Sequence, residues 1–388
     1  MVPERVTPGA GVCHEVARLE WRLDDGGDPA ELVADFLNAH GLGEAGPAGL
    51  VGEYRAALYL SAAACARMVD HAGAPSPAPV VPDVVVVVEA PGAGPPAPPG
   101  PRRPGPWRLD EWEPSWSPQA HARAVEEVRR AIARGDVYQV NVVGHQSAAY
   151  SGDPLPALHR VAALPGARYG GVLTGDGWAL ACASPETLFT VADGRIVTGP
   201  IKGTRPATEA GRRELLTSTK ERAEHVMIVD LERNDLARIA VTGSVRVDEL
   251  YAIRRWCGLW QAESLVSADL ADGVGLADVL RAMCPGGSVT GAPKLAALDV
   301  IAGLEPVGRG PSMGAYGWVT RGRIDLGLTI RTVAVDAERV HVWAGGGITW
   351  GSDPQAEVAE AAAKAMPLRE ALAGPPFEYG GPGQVQGR

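Results

Sequence analysis

The sequence is short of positive charge. Its 36 lysines and arginines face 46 aspartates and glutamates, a formal charge of -10. A phosphate backbone is bound by a basic face, so this balance argues against a nucleic-acid partner. Cysteine is also scarce: the five are Cys13, Cys65, Cys182, Cys257 and Cys284. They are odd in number and widely scattered, and no two have metal-ligand spacing. Neither a zinc site nor a disulfide framework is implied, and they read as reduced core thiols. Long hydrophobic runs are missing too. The apolar stretch from Val80 to Val88 is broken at Pro82 and Asp83 and is far too short to span a membrane. Met1-Val2-Pro3-Glu4-Arg5 has no apolar signal core. Together these lacks predict a soluble, cytoplasmic protein. There is no internal repeat.

What is present is length and order. A chain of 388 residues can build one large domain or two ordinary ones. Residues 1–88 read as a short N-terminal subdomain, partly integrated with the core. They hold a helix from Asp28 to His40, with Asp28 as N-cap and Pro29 at the first helical position. Val84 to Val88 reads as a buried strand. Residues 89–106 are mostly Pro and Gly, a linker or long loop that cannot form ladders. Residues 107–373 form the main core, and 374–388 a disordered tail. In the core, Ser117 caps a helix ending at Gly135. Asp136 to Val143, Gly171 to Cys182 and Thr187 to Thr198 read as strands. Thr208 to Ile239 reads as one long helix, and Val245 to Val247 opens a short strand. Leu276 to Met283 and Ala292 to Gly303 read as helices. Gly314 to Thr320, Ile324 to Val335 and Val340 to Ala344 read as a meander, followed by a final helix from Asp353 to Leu372. Strand groups separated by long helices predict an α+β fold with large sheets.

Chemistry gathers at four places. Gly199-Pro200-Ile201-Lys202-Gly203-Thr204-Arg205 sets a lysine in a turn after a strand. Alone it suits a solvated surface turn; a lysine acts as a nucleophile only when burial or a nearby cation keeps it neutral. Glu221 and Glu224 are three apart on one helix, as are Glu357 and Glu360. Each pair alone suits a solvated face, but two facing pairs would make an oxygen site fit for Mg²⁺. Two glycine-rich stretches follow. Pro285-Gly286-Gly287-Ser288-Val289-Thr290-Gly291-Ala292-Pro293-Lys294 ends in a helix start, an anion site by its N–H groups, without Walker spacing. Ala344-Gly345-Gly346-Gly347-Ile348 is a second candidate nest for a carboxylate. Arg331 interrupts the apolar run Leu328 to Val333. It either closes an internal salt bridge or grips a ligand carboxylate.

From about Trp107 to Leu372 these motifs, in this order, resemble the chorismate-utilising enzymes. That family holds anthranilate synthase component I, aminodeoxychorismate synthase component I, and the isochorismate and salicylate synthases. The matching residues are Ser184-Pro185-Glu186, Gly199 to Arg205, Lys220 to Ile239, Gly286 to Lys294 and Gly314-Ala315-Tyr316-Gly317. Ile330-Arg331-Thr332, Ala344 to Gly347, and Ser352-Asp353-Pro354 with Glu357 complete the set. The resemblance implies two large facing antiparallel sheets flanked by helices, with the active site in the cleft between them. It implies that Glu221, Glu224, Glu357 and Glu360 hold Mg²⁺, which bridges to a chorismate carboxylate. Thr204, Thr290, Tyr316, Arg331, Lys364 and the backbone of Gly345, Gly346 and Gly347 would hold the rest of the substrate. Glu186 would be the acid that protonates the departing C4 hydroxyl, its pKa raised by the carboxylates around it.

Two positions choose the reaction within the family. Relatives that add water to C2 carry a lysine base where this chain has Gln139, and an amide cannot take a proton from water. Anthranilate synthases resemble the Lys202 stretch but usually have Ala in place of the lysine. Lys202 therefore implies aminodeoxychorismate synthase chemistry: attack of Lys202 at C2, loss of the C4 hydroxyl, then ammonia at C4. Asp278, aligned approximately with the histidine of pyruvate-eliminating relatives, implies that the enolpyruvyl group is kept. No Cys-centred nucleophile elbow or Cys/His/Glu glutaminase pattern is present, so a separate glutamine amidotransferase partner is expected to supply ammonia. Departures from the pattern are Gln261, where many relatives have His, and Gly351, where they commonly have Asp. The Leu-Leu-Glu/Asp-Ser element near which relatives bind tryptophan is not found.

Overall fold

A computed structural model describes residues 13–43, 54–92, 94, 98 and 100–374. Residues 93, 95–97 and 99 of the expected linker and all but Gly374 of the expected tail lie outside the described residues.

The valine run builds the first sheet. Val84–Pro91 is buried over its first five residues and pairs antiparallel with Cys13–Trp21 on one side and Arg55–Leu60 on the other. Arg55–Leu60 then pairs with Ala315–Thr320, so strands from the first 91 residues extend a sheet built mostly by later ones. The order continues through Arg323–Leu328, Thr187–Ala192, Arg195–Gly199, Leu259–Asp269 and Ile201–Pro206, with Arg246–Trp256 also on Leu259–Asp269. Among the described residues this makes a ten-stranded sheet with every pair antiparallel. The second sheet runs Gly291–Ala292, Gln139–Ser151, Arg339–Ile348, Thr332–Val335, Trp178–Ser184, Tyr169–Gly175.

The two sheets share one apolar core. Tyr59, Leu58, Phe189 and Tyr316 from the first meet Trp178, Leu180 and Trp343 from the second. Burying side chains of this size stabilises the fold by roughly 1.5–3 kcal/mol each, before the entropy of ordering them. Helices Leu155–Ala162 and Pro354–Ala373 cover the outer face of the second sheet through Leu158, Val161, Leu368 and Leu372. The α+β fold expected from the sequence, two large antiparallel sheets flanked by helices, is the fold the chain adopts.

Several element boundaries differ from expectation: the strand expected over Asp136 to Val143 is Gln139–Ser151, and four others bear on the site. The long helix of residues 208–239 is two helices, Glu209–Thr217 and Thr219–Ala237. Ser218 leaves the helical region and its hydroxyl accepts from Glu221 N–H, capping a new start. The strand at Val245 runs much further, as Arg246–Trp256. The helix after the glycine-rich stretch begins only at Lys294, because Gly291–Ala292 pairs with Val140 and Gln139 as strand. The meander is interrupted: the chain leaves the first sheet at Leu328 and enters the second at Thr332. Arg331 makes the turn at φ +51°. It is therefore a bend residue between sheets and not part of a strand.

Candidate active site

Between the open ends of the two sheets lies a cavity of about 460 Å³, a size suited to a small organic ligand. One wall is the strand Ile201–Pro206. Its pairing with Leu259–Asp269 slips between Lys202 and Thr204, so Gly203 is an extra residue, at φ +79°. This bulge breaks the usual alternation, and Ile201, Lys202, Gly203, Thr204 and Arg205 all line the cavity. The opposite wall is the strand Arg339–Ile348, whose Gly345, Gly346 and Gly347 leave bare backbone there. None of the three has a positive φ: the candidate nest is an extended strand. The missing side chains matter. A Cβ on Gly347 would lie 3.4 Å from Lys202 Nζ and 3.1 Å from Gln139 Nε2. Glycine thus lets the lysine of one sheet and the amide of the other approach the same spot. Gln139 is fully buried, and neither amide atom has a partner.

Glu186 stands beside Lys202 on the loop that follows Trp178–Ser184. Ser288 Oγ donates to its Oε1 at 2.8 Å. Burial raises the Glu186 pKa, opposed by the charge of Lys202, the Ser288 hydrogen bond, the backbone of Ile201 and the charge of Lys364. The direction matches the sequence expectation, but the leading cause differs: desolvation lifts it, against the cations Lys202 and Lys364. Behind Glu186 sits Glu232, buried, accepting a hydrogen bond from Thr198 Oγ at 3.0 Å. Burial, then the nearby Asp235 charge, push Glu232 up to about 8.

All four glutamates line this one cavity. Glu221 and Glu224 come from helix Thr219–Ala237, and Glu357 and Glu360 from helix Pro354–Ala373, with Asp353 as N-cap. Carboxylate oxygens from two helices are the donor set that a hard divalent cation takes. In the present geometry cationic side chains sit among them. Lys364 Nζ lies 2.7 Å from Glu360 Oε1 and donates to Gly345 O, and Arg205 Nη2 lies 3.4 Å from Glu221 Oε1. Among the described residues, no three acidic, histidine or cysteine side chains converge on one point as metal ligands.

Arg331 lines the cavity and is partly buried, and desolvation lowers its pKa. Its guanidinium has no hydrogen bond or ion pair among the described residues, so the internal salt bridge left open by the sequence is not formed.

Three sequence expectations lie elsewhere. Tyr316 is packed in the core between the sheets. Its hydroxyl occupies the space over Gly171, where a Cβ would sit only 2.0 Å from it. Thr290 is buried on the far side of the turn Gly287–Val289, and its hydroxyl donates back to Gly286 O at 2.8 Å. It is Ser288 that the turn sends into the cavity. Asp278 lies in the first turn of Leu276–Met283, accepting from Gly275 N–H and pairing with Arg281, outside the cavity. Gln261 lines the cavity instead.

Two contributors were missed. Ser288 was hidden in a stretch read for its backbone. His225 lies on the helix read only for its glutamate pair. The residues of helix Thr219–Ala237 at spacing 225, 228, 229, 232 and 236 are all buried, so His225 and Glu232 stand on its inward stripe. That spacing is legible in the sequence.

These sheets and their cleft define a known class. Residues 72–370 match the chorismate binding enzyme family, and the chain belongs to it. Relatives with two different names match about equally well. The aminodeoxychorismate synthase component 1 of Bacillus subtilis (strain 168) is 36% identical over 258 residues, 65% of this chain and 55% of that protein. The anthranilate synthase component 1 1 of Haloarcula marismortui is 37% identical over 263 residues, 66% of this chain and 53% of that protein. The match thus spans little more than half the length of these relatives. Among solved structures, anthranilate synthase component I from Streptococcus pneumoniae TIGR4 superposes with a TM-score of 0.77 at 24% identity. That match covers 96% of this chain and 94% of the other, and it shows the shared fold. Among the described residues, no helix is long and apolar enough to cross a membrane.

Proposed function

We propose that the protein is an aminodeoxychorismate synthase component I. It converts chorismate and ammonia to 4-amino-4-deoxychorismate and water. The observation that carries this reading is Lys202. Its Nζ reaches the cavity beside Glu186 and faces the notch at Gly347. Relatives that deliver ammonia straight to C2 have no need of an amine there.

The chemistry balances as follows. Lys202 Nζ, once its proton has passed to water, forms a bond to C2 as the ring double bonds shift. The C4 hydroxyl leaves as water, taking the proton of Glu186. A carboxyl held protonated by burial is suited to that donation. Ammonia then bonds to C4, the double bonds shift back, and the C2–N bond breaks. The proton shed by the incoming ammonia returns to Glu186. Arg331, with no ion-pair partner among the described residues, would take a substrate carboxylate in a bidentate grip. Thr204, Lys364 and the backbone of Gly345 to Gly347 would hold the remaining polar groups. Thr290 and Tyr316 would act from behind the wall by shaping it.

Glu221, Glu224, Glu357 and Glu360 would hold Mg²⁺, with Lys364 and Arg205 giving way to it. The ion would neutralise and orient a substrate carboxylate. A glutamine amidotransferase partner would supply the ammonia, and the cytoplasm is the compartment in which the free thiols and chorismate meet. The product would serve p-aminobenzoate and folate synthesis or a specialised pathway. The rival reading is anthranilate synthase component I, favoured by relatives of that name at equal identity. The purified chain with chorismate, Mg²⁺ and ammonium separates the two. Accumulation of 4-amino-4-deoxychorismate supports the proposal; direct appearance of fluorescent anthranilate refutes it.

A further inference from the structure

The strand Leu259–Asp269 pairs on opposite edges with two bulged strands, Ile201–Pro206 and Arg246–Trp256. Its pairing with Ile201–Pro206 slips after Lys202, and its pairing with Arg246–Trp256 slips between Glu249 and Ala252, with Tyr251 at φ +56°. Bulges pull backbone groups out of the ladder, and here one buried side chain collects them. His225, on helix Thr219–Ala237, is fully buried. Its Nε2 lies 2.9 Å from Ala262 O and 3.1 Å from Lys202 O, and its Nδ1 lies 2.8 Å from Ser264 Oγ. Two carbonyl oxygens around Nε2 require that this nitrogen carry the proton. Nδ1 then accepts from the Ser264 hydroxyl, and Ser264 Oγ in turn accepts from Tyr251 N–H at 2.9 Å. The Lys202 N–H, 3.2 Å from Nε2, is a neighbour of that proton and not its donor.

We propose that His225 is a positioning residue for Lys202: its ring ties the two bulged strands to the strand between them and so aims the lysine into the cavity. The proposal rests on the reading of Lys202 as the reacting amine. The geometry gives the reason for an imidazole. One ring joins the carbonyls of Lys202 and Ala262, which face each other across the slip, and through Ser264 it also fixes the second bulge. Leucine would fill the volume but take the imidazole donor away from both carbonyls. The Lys202 backbone would then relax toward another partner, and a displacement of about 1 Å at a reacting group costs about 100-fold in rate.

The test uses the full chain with chorismate, Mg²⁺ and ammonium, reading kcat, KM, product and melting temperature for His225→Leu, His225→Gln, Ser264→Ala and Lys202→Ala. The expected result for His225→Leu is a kcat lowered about 100-fold, with the KM for chorismate within about three-fold. His225→Gln, whose amide N–H can reach the same carbonyls, should recover about ten-fold of that loss. Adding His225→Leu to Lys202→Ala should change nothing further, because the two act as a unit. If His225→Leu does not fold, Ser264→Ala decides: kcat should fall several-fold at unchanged KM. An unchanged kcat in either variant, a parallel change of kcat and KM, or an equal further loss on the Lys202→Ala background overturns the proposal. Lys202→Ala with the wild-type rate and product instead overturns the reading of Lys202, whatever His225 does.

Discussion

Glu232→Gln should make the protein more stable at neutral pH. The carboxyl sits in the core with Thr198 as donor, beside the ion pair of Asp235 with Lys294 at 2.8 Å. Its folded pKa of about 8 lies well above the ordinary 4.5. A carboxyl shifted upward binds more protons folded than unfolded across that window. Stability is therefore complete below about 4.5 and falls as pH rises toward 8, at about 1.4 kcal/mol per unit. At pH 7 the accumulated penalty is about 3 kcal/mol. Glutamine keeps the shape and can accept from Thr198, but it cannot ionise. Urea unfolding of both proteins at half-unit steps from pH 4.5 to 8.5 measures the effect. The two curves should coincide near pH 4.5 and part steadily above it, the variant leading by about 3 kcal/mol at pH 7. Parallel curves would show that Glu232 ionises normally in the fold, and the account of burial behind Glu186 would fall with it.

Further predictions follow from single contacts. Glu186→Gln should lower the rate of chorismate consumption by about 10²–10⁴ with the fold intact; a variant within ten-fold of wild type by absorbance assay removes Glu186 as the acid. Gly203→Ala places a Cβ 3.0 Å from Glu221 Oε2 and Leu215 Cδ2 at φ +79°. It should cost about 1–2 kcal/mol and weaken Mg²⁺ dependence, read by melting temperature and metal titration. His145 is held down to about 3 by burial and the charges of His341 and Arg339. A depressed histidine contributes stability that is full above its unfolded value of 6.5 and is lost as pH falls toward 3. His145→Gln should therefore lose about 2 kcal/mol less than wild type between pH 7 and pH 5, and equal losses in unfolding titrations would contradict this.

Much of this molecule was legible in the sequence because its signals are local. The capped helices, the valine strand and both glutamate pairs follow from spacing and cap chemistry. All four glutamates do share one cavity with Lys202, Glu186, Thr204, Arg331 and Lys364. The misreadings came where a tertiary partner overrides a local preference. Ser218 looks like one more polar residue in a helix until its hydroxyl caps the next one. Arg331 lies in an apolar run, yet the chain must bend there to change sheets. Tyr316 is a polar aromatic on a motif strand, and only the bare backbone of Gly171 shows why it turns inward. Thr290 and Ser288 are two residues apart in a turn too short for periodicity to say which one faces the cavity.

The most direct test of the central claim is the product of wild type and Lys202→Ala, each with chorismate, Mg²⁺ and ammonium, identified by mass and fluorescence. Wild type should give 4-amino-4-deoxychorismate, which only a separate lyase turns into p-aminobenzoate. The variant should lose that product and release an amine at C2 instead. Anthranilate from wild type, or the same product at the same rate from both, would contradict the account.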